Sequence, residues 1–308
     1  MHNNNSALVL LRGGGDLASG VALRLHRAGF QLVITELDRP LAVRRSVSFA
    51  ETVYEGQHTV EGVTGRLVKP GQLPAALEAG EIPVLIDPDA NILLPPAGAI
   101  SSFLFPAVID ARLIKQPPAP LPIPVPLHIG LGPGFQAGVN CHAVIETRRS
   151  HTLGRVYWTG TTQPDSGQPE GDPRRVLRAP ADGILSAKAK IGEHVEAGQV
   201  VAVVSGQYPV SSNQYPVSSE QYLVGSNQYP VASEQYSVVS PLKGILRGLL
   251  HDGLPVTKGL KIGDVDPRDD PSACFLVSDK ALSIGGAVLE AILTREEIRE
   301  QFLHREER

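Results

Sequence analysis

Cysteine, tryptophan and methionine are nearly missing from this sequence: two, one and one residues among 308. Two distant thiols, Cys141 and Cys274, cannot supply a disulfide framework, so a reducing cytoplasm is the expected location. Basic residues do not exceed acidic ones (28 against 32, net charge −4), which argues against a nucleic-acid partner. No apolar run approaches the length that spans a bilayer, so no membrane helix is expected. The opening MHNNNS lacks the basic-then-apolar order of a signal peptide. No spacing of Cys and His matches a standard zinc site, and no metal is expected.

What is present is enough apolar residue for real cores, 42%, in a chain long enough for two domains. The reading is an α/β protein: a Rossmann-like parallel-sheet domain over 1–162, a linker at 163–174, a small β module over 175–270, and C-terminal helices over 271–308 packing on the first domain.

The first domain is organised around LVLLRGGGDLASGVALRLHRAGFQLVITE, from Leu8 to Glu36. An apolar run, a glycine cluster, a helical pattern ending at Gly29 and a second apolar run spell strand, turn, helix, strand. Gly13, Gly15 and Ala18 fit G-x-G-x-x-A. In that motif the first glycine permits a tight turn, the second admits a pyrophosphate, and the small third residue lets helix and strand pack closely. Gly14 and Asp16 lie inside the same turn. Helix-start amides would face the anion. Glu36 lies where a carboxylate accepts bonds from a ribose, which favours NAD or another unphosphorylated nucleotide over NADP.

Further along, Arg39, Arg44 and Arg45 cluster after the second strand, as arginine forks for phosphate or carboxylate or as a solvated face. Two apolar runs end at Asp87 and Asp110, the pattern of strands reaching the ligand-binding edge of an open sheet. Asn91 to Phe103 reads as helix or crossover. The proline-rich Pro117 to Pro126 is extended and spans a surface to reach His128. Then HIGLGPGFQAGVNCHAVIE gathers Gly132, Gly134, Cys141 and His142. It reads as a glycine-rich loop lining the cleft, with Cys141 and His142 as weak candidates for thiolate or sulfur chemistry.

In the second half, Pro180 to Leu185 aligns with Pro241 to Leu246, and Gly192 to Gly198 with Gly253 to Gly259. Duplicated short hairpins predict a small two-fold β-sandwich, and these residues resemble the biotinyl/lipoyl-type barrel-sandwich hybrid. Carriers of that class present a lysine between the two halves. Here five heptads, GQYPVSS to EQYSVVS over 206–240, stand there without one, so biotin and lipoate are excluded. The tract reads as a loose insert. The turn Lys261 to Arg268 either closes onto the nucleotide cleft or pairs internally. Ser278 to Leu293 is a helix whose Gly285-Gly286 allows another backbone to come close, and Thr294 to Arg308 is a charged helix.

With RGGGDLASGVALRLHRAGF, VITE, RRSVSF, IGLGPGF, HAVIETRRSHTLGRV, KGLKIGDVDPR and SDKALSIGGAVLEAIL in place, the chain resembles the YqeB family along nearly its full length apart from the heptads. The resemblance implies an accessory protein for a selenium-dependent molybdenum hydroxylase, related to XdhC-type maturation factors. It implies a nucleotide or molybdopterin dinucleotide at Gly13, Gly15, Gly20 and Glu36, with Gly132, Gly134, Cys141 and His142 in a second shared loop. The implied partner is the client enzyme; a homo-oligomer is left open. Two other functions stand beside it. An NAD-dependent oxidoreductase lacks an evident Tyr-x-x-x-Lys or similar pair, and a non-catalytic scaffold would dock a partner through the β module.

Overall fold

The structure is a computed structural model and describes residues 7–95, 104–167, 172–206 and 234–303. Ala7–Arg12 (β1), Asp16–Arg27 (α1) and Leu32–Glu36 (β2) form the expected strand, helix and strand. In β1, Leu8 and Leu10 enter one core and Val9 and Leu11 another, all four fully buried. A strand covered on both faces needs such an unbroken apolar run.

The chain continues through Thr52–Glu55 (α2), Gln57–Val60 (β3), Val63–Leu67 (β4), Leu73–Glu78 (α3), Ile82–Ile86 (β5), Leu104–Asp110 (β6), Leu127–Leu131 (β7), Gln136–Ala137 (β8), Ala143–Ile145 (β9) and Val156–Tyr157 (β10). Nine of these strands make one sheet in the order β10-β9-β7-β6-β1-β2-β5-β4-β3. The pairs from β9 to β4 are parallel, and only the edge strands β10 and β3 run antiparallel. A short Gly160–Thr161 (β11) pairs with β8.

One face of this sheet is covered by α1 and by Asp279–Thr294 (α4), the other by α3 and the proline-rich segment, whose Leu121, Ile123 and Val125 point into the core. Gly20 of α1 lies against Ala281 of α4, and Gly285 against Gly20 and Arg24. Residue numbers rise together along both helices, so they run parallel and start at the same edge. A Cβ on Gly20 would stand 2.5 Å from that of Ala281, so only glycine permits this approach. Ser278 caps α4 by accepting from the Ala281 amide, and Glu296–Leu303 (α5) follows.

The second half is a sandwich. Val176–Arg178 (β12), Gly183–Ala187 (β13), His194–Val195 (β14), Val200–Gly206 (β15), Glu234–Val239 (β16), Gly244–Leu249 (β17), Pro255–Val256 (β18) and Lys261–Asp266 (β19) form two antiparallel sheets, β12-β19-β17-β14 and β16-β15-β13-β18. Exchanging the first duplicated half for the second turns one sheet order into the other. Both sheets share one core, including Leu185, Val204, Leu246 and Val265.

The heptad reading needs correction at its end. The last repeat is not part of a loose insert: its Glu234–Val239 is β16, paired along β15 with Val238 buried. Unlike three of the earlier repeats, EQYSVVS has no proline and keeps every amide for the ladder. The rest of the tract, 207–233, lies outside the described residues, as do 96–103 of the expected crossover and 304–308 of the expected last helix.

The two units are locked together. Arg45 Nε donates to the Leu249 carbonyl at 3.2 Å, His251 Nδ1 lies 2.8 Å from Glu51, and the His251 ring stacks on Tyr54 at 4.1 Å. Gly248 leaves no room for a side chain beside Val43.

Candidate functional site

The sequence places the ligand over the glycine turn. There Glu36 is bonded to the fold itself. It is buried, and its two oxygens accept from the Gly14 amide at 2.6 Å and the Leu37 amide at 2.8 Å. Burial pushes the Glu36 carboxyl above its usual range, against the lowering effect of those two amides. Gly14 is covered by Ala50, whose amide donates to the Gly14 carbonyl at 2.8 Å. A Cβ on Gly14 would meet the Ala50 nitrogen at 2.9 Å. Gly13 takes a left-handed conformation (φ 92°) next to Arg112. Ala18 is in the core. Gly20 serves the contact with α4, not a ligand.

Other candidates are also committed to the fold. Asp87 caps the turn that follows it, accepting from the Asn91 and Ile92 amides. Asp110 is fully buried between Arg12 and Arg112. Arg45 is spent on Glu51 and Leu249. Gly134 packs against the Ile114 carbonyl, and left-handed Gly132 packs against Thr147.

Gly15 and Asp16 behave differently. Gly15 is the N-cap of α1, makes no side-chain cap and has open space where a Cβ would be. Asp16 and Leu17 line a cleft of about 1150 Å³ at the carboxyl edge of the sheet. The first-turn amides of a helix have no acceptor inside it, and the first two residues of α1 lie on this cleft. Ser278, Asp279 and Lys280 bring the start of α4 to the same cleft.

The opposite wall comes from the sandwich. Arg175, Arg247, Lys261, Asp264 and Arg268 reach across, and Arg44, Arg148 and Arg149 join from the sheet domain. Eight cations and five carboxylates line the cleft, so it is positive in a chain whose net charge is −4. Several carboxylates are already occupied. Asp264, almost fully buried, pairs with Arg247 and lies 3.5 Å from Arg175. Asp279 takes a fork from Arg149, which holds its carboxyl down at about 2. Glu146 accepts from the Arg148 and Gln163 amides. The Asp266–Arg268 pair closes internally, holding Asp266 at about 2, while Arg268 still lines the cleft.

Lys261 and Arg44 keep unused capacity, as does Arg175, whose buried Nε also has no hydrogen-bond partner among the described residues. Lys261 makes no hydrogen bond or ion pair among the described residues, and desolvation by the cleft walls lowers its ammonium pKa even though the residue keeps solvent contact. Arg44, nine-tenths buried, donates Nη2 to the Ala273 and Leu276 carbonyls, yet its Nε has no partner. Such a lining suits an anion with several oxygens. Arg44 and the Lys261–Arg268 turn are the cations with a signal in the sequence; Arg148, Arg149, Arg175, Arg247 and Lys280 carry none, because segments far apart in the chain bring them together.

Cys141 and His142 are not in this cleft. They precede β9, at the amino edge of the sheet, and line a separate pocket with His128. Burial pushes the Cys141 thiol up to about 11, far from a thiolate at neutral pH. No group of three or more His, Cys, Asp or Glu among the described residues is arranged to hold a metal. No helix among them is long and apolar enough to cross a membrane.

No protein-family model matches the chain. Solved structures that resemble it include an aspartoacylase family protein from Mesorhizobium loti (11% identity, 86% of this chain and 87% of that one, TM-score 0.26) and product-bound EutE (DoeB) from Ruegeria pomeroyi (13% identity, 84% and 85%, TM-score 0.25). These scores are too low to carry an argument about fold or function. The sequence itself is 41% identical over 299 residues to the uncharacterized protein YqeB of Escherichia coli K12, covering 95% of this chain and 48% of that protein. The chain thus spans about half the length of the curated relative, and over that half it belongs to the YqeB family.

Proposed function

We propose that the chain binds a phosphate-bearing small molecule, a nucleotide or a pterin dinucleotide, in the cationic cleft. One observation carries this: two parallel helix starts, one without a side-chain cap, open into a cleft lined by eight cations. On this reading the parallel sheet is Rossmann-like and the duplicated sandwich barrel-sandwich-hybrid-like. The phosphates sit beyond the glycine turn, against Gly15, Asp16 and Leu17, with Lys261 and Arg44 facing them. The family resemblance supports the cellular role: an accessory protein in maturation of a selenium-dependent molybdenum hydroxylase, with that enzyme as partner and the cytoplasm as location.

The test is native mass spectrometry of the purified protein, followed by release and identification of any bound small molecule. A pterin dinucleotide or nucleotide at one per chain is expected. NAD would favour an oxidoreductase. A ligand-free protein that also takes up no nucleotide would leave a non-catalytic scaffold.

A further inference from the structure

The pocket around His128 lies at the opposite edge of the sheet from the cationic cleft. It is framed by residues before β7 and β9 and by Arg295 just past the end of α4, whereas the cleft is framed by residues after those strands and by the start of α4. One ligand cannot occupy both. Its volume is about 680 Å³, within the usual range for small-molecule sites of roughly 300–1000 Å³.

The walls are mostly apolar: Pro120, Pro124, Val139 and Trp158. Val139 is 72% exposed, an unusual position for a valine with no partner to cover it. Within these walls sits His128, only 7% exposed. Its Nε2 is buried and has no hydrogen-bond partner among the described residues, and its ring stands edge-on to Phe135 at 6.0 Å. A buried polar group without a partner is costly and calls for an explanation. Desolvation lowers the His128 pKa to about 4, so the ring is neutral and has one donor and one acceptor nitrogen.

The neighbours are neutral too. His142 Nδ1 accepts from the His128 amide at 2.8 Å, which leaves the His142 proton on Nε2. Cys141 is a protonated thiol. The one cation, Arg295, lies over the Trp158 ring at 5.4 Å and is paired with Glu297. No carboxylate lines the pocket. A charged ligand has no free counter-charge here; a flat ring has apolar walls and a hydrogen-bonding edge.

We propose that this pocket is a second binding site, for a small neutral heteroaromatic molecule whose polar edge meets His128. Trp158, the only tryptophan, is its built-in reporter. The probes are adenine and indole, titrated into the full chain by calorimetry and Trp158 fluorescence. Adenine, with both donors and acceptors on its edge, is expected to bind saturably with a Kd on the order of 1 mM or tighter, as its size permits. His128→Phe should weaken adenine about tenfold, the loss of one good hydrogen bond, and leave indole less affected. Val139→Trp, made at an exposed position and therefore compatible with folding, should block both probes. If neither probe binds, or if adenine binds equally well to the folded V139W protein, the site is overturned.

Discussion

The Gly20 contact fixes how α1 and α4 converge, and its replacement by alanine has a computable consequence. Alanine in a helix interior ordinarily gains about 1 kcal/mol over glycine. At Gly20 the new Cβ would stand 2.5 Å from the Ala281 Cβ and 2.7 Å from the Ala281 carbonyl carbon and oxygen. Two of those three atoms are backbone, so relief requires the helices to separate along a fully buried seam. Overpacking of this kind costs about 1–3 kcal/mol, and a backbone clash belongs at the upper end. The net expectation for Gly20→Ala is a loss of about 1–2 kcal/mol after the propensity gain. Gly286→Ala is the internal control. It lies in the same helix pair, on α4, with nothing within 4 Å of its Cβ position, and should gain about 1 kcal/mol. Denaturant titration of both variants at constant m-value reads the difference directly. Two variants shifted equally, in either direction, would refute the close parallel packing of the helices.

Three other outcomes are expected. His128 is held at about 4 against an ordinary 6.5. The unfolded chain therefore takes its proton first, so stability is full above pH 6.5 and falls as pH drops toward 4, by about 3 kcal/mol in all. Comparison with His128→Phe should isolate this component, and parallel acid-unfolding curves for the two proteins would contradict it. Cys141 and Cys274 are both buried, with thiol pKa values raised by desolvation. Neither should react with a thiol reagent at pH 8 until the protein unfolds. Gly206 and Glu234 face each other at the open end of the β15–β16 hairpin. Replacing 207–233 with Asn-Gly should keep the sandwich fold and leave the melting temperature unchanged or slightly higher; a large fall would show that those residues support the fold.

The strand–helix–strand core was legible because its signals are local: apolar runs, a glycine cluster and a helix stop. The sandwich was legible from its duplication, which reappears as two sheets of matching order. The cationic cleft was not. G-x-G-x-x-A states what the backbone can do, not what comes to cover it. Ala50 closes over Gly14, Glu36 turns back onto the same turn, and Ala281, some 260 residues away in sequence, claims Gly20. By position Glu36 suits sugar hydroxyls, yet its nearest donors are amides of its own domain. The cleft as a whole was hidden for the opposite reason: Arg44 and the Lys261–Arg268 turn carry a local signal, but Arg148, Arg175 and Arg247 lie far apart in the chain, and only the docking of the sandwich on the sheet gathers them.

The most direct measurement is a calorimetric titration of inorganic pyrophosphate into the full chain and into Lys261→Glu, whose charge faces the cleft without an ion pair. The account predicts one saturable site in the parent protein, weakened by added salt and lost in the variant while its unfolding curve stays intact. Equal binding by both proteins, or no binding by the parent at low salt, would contradict it.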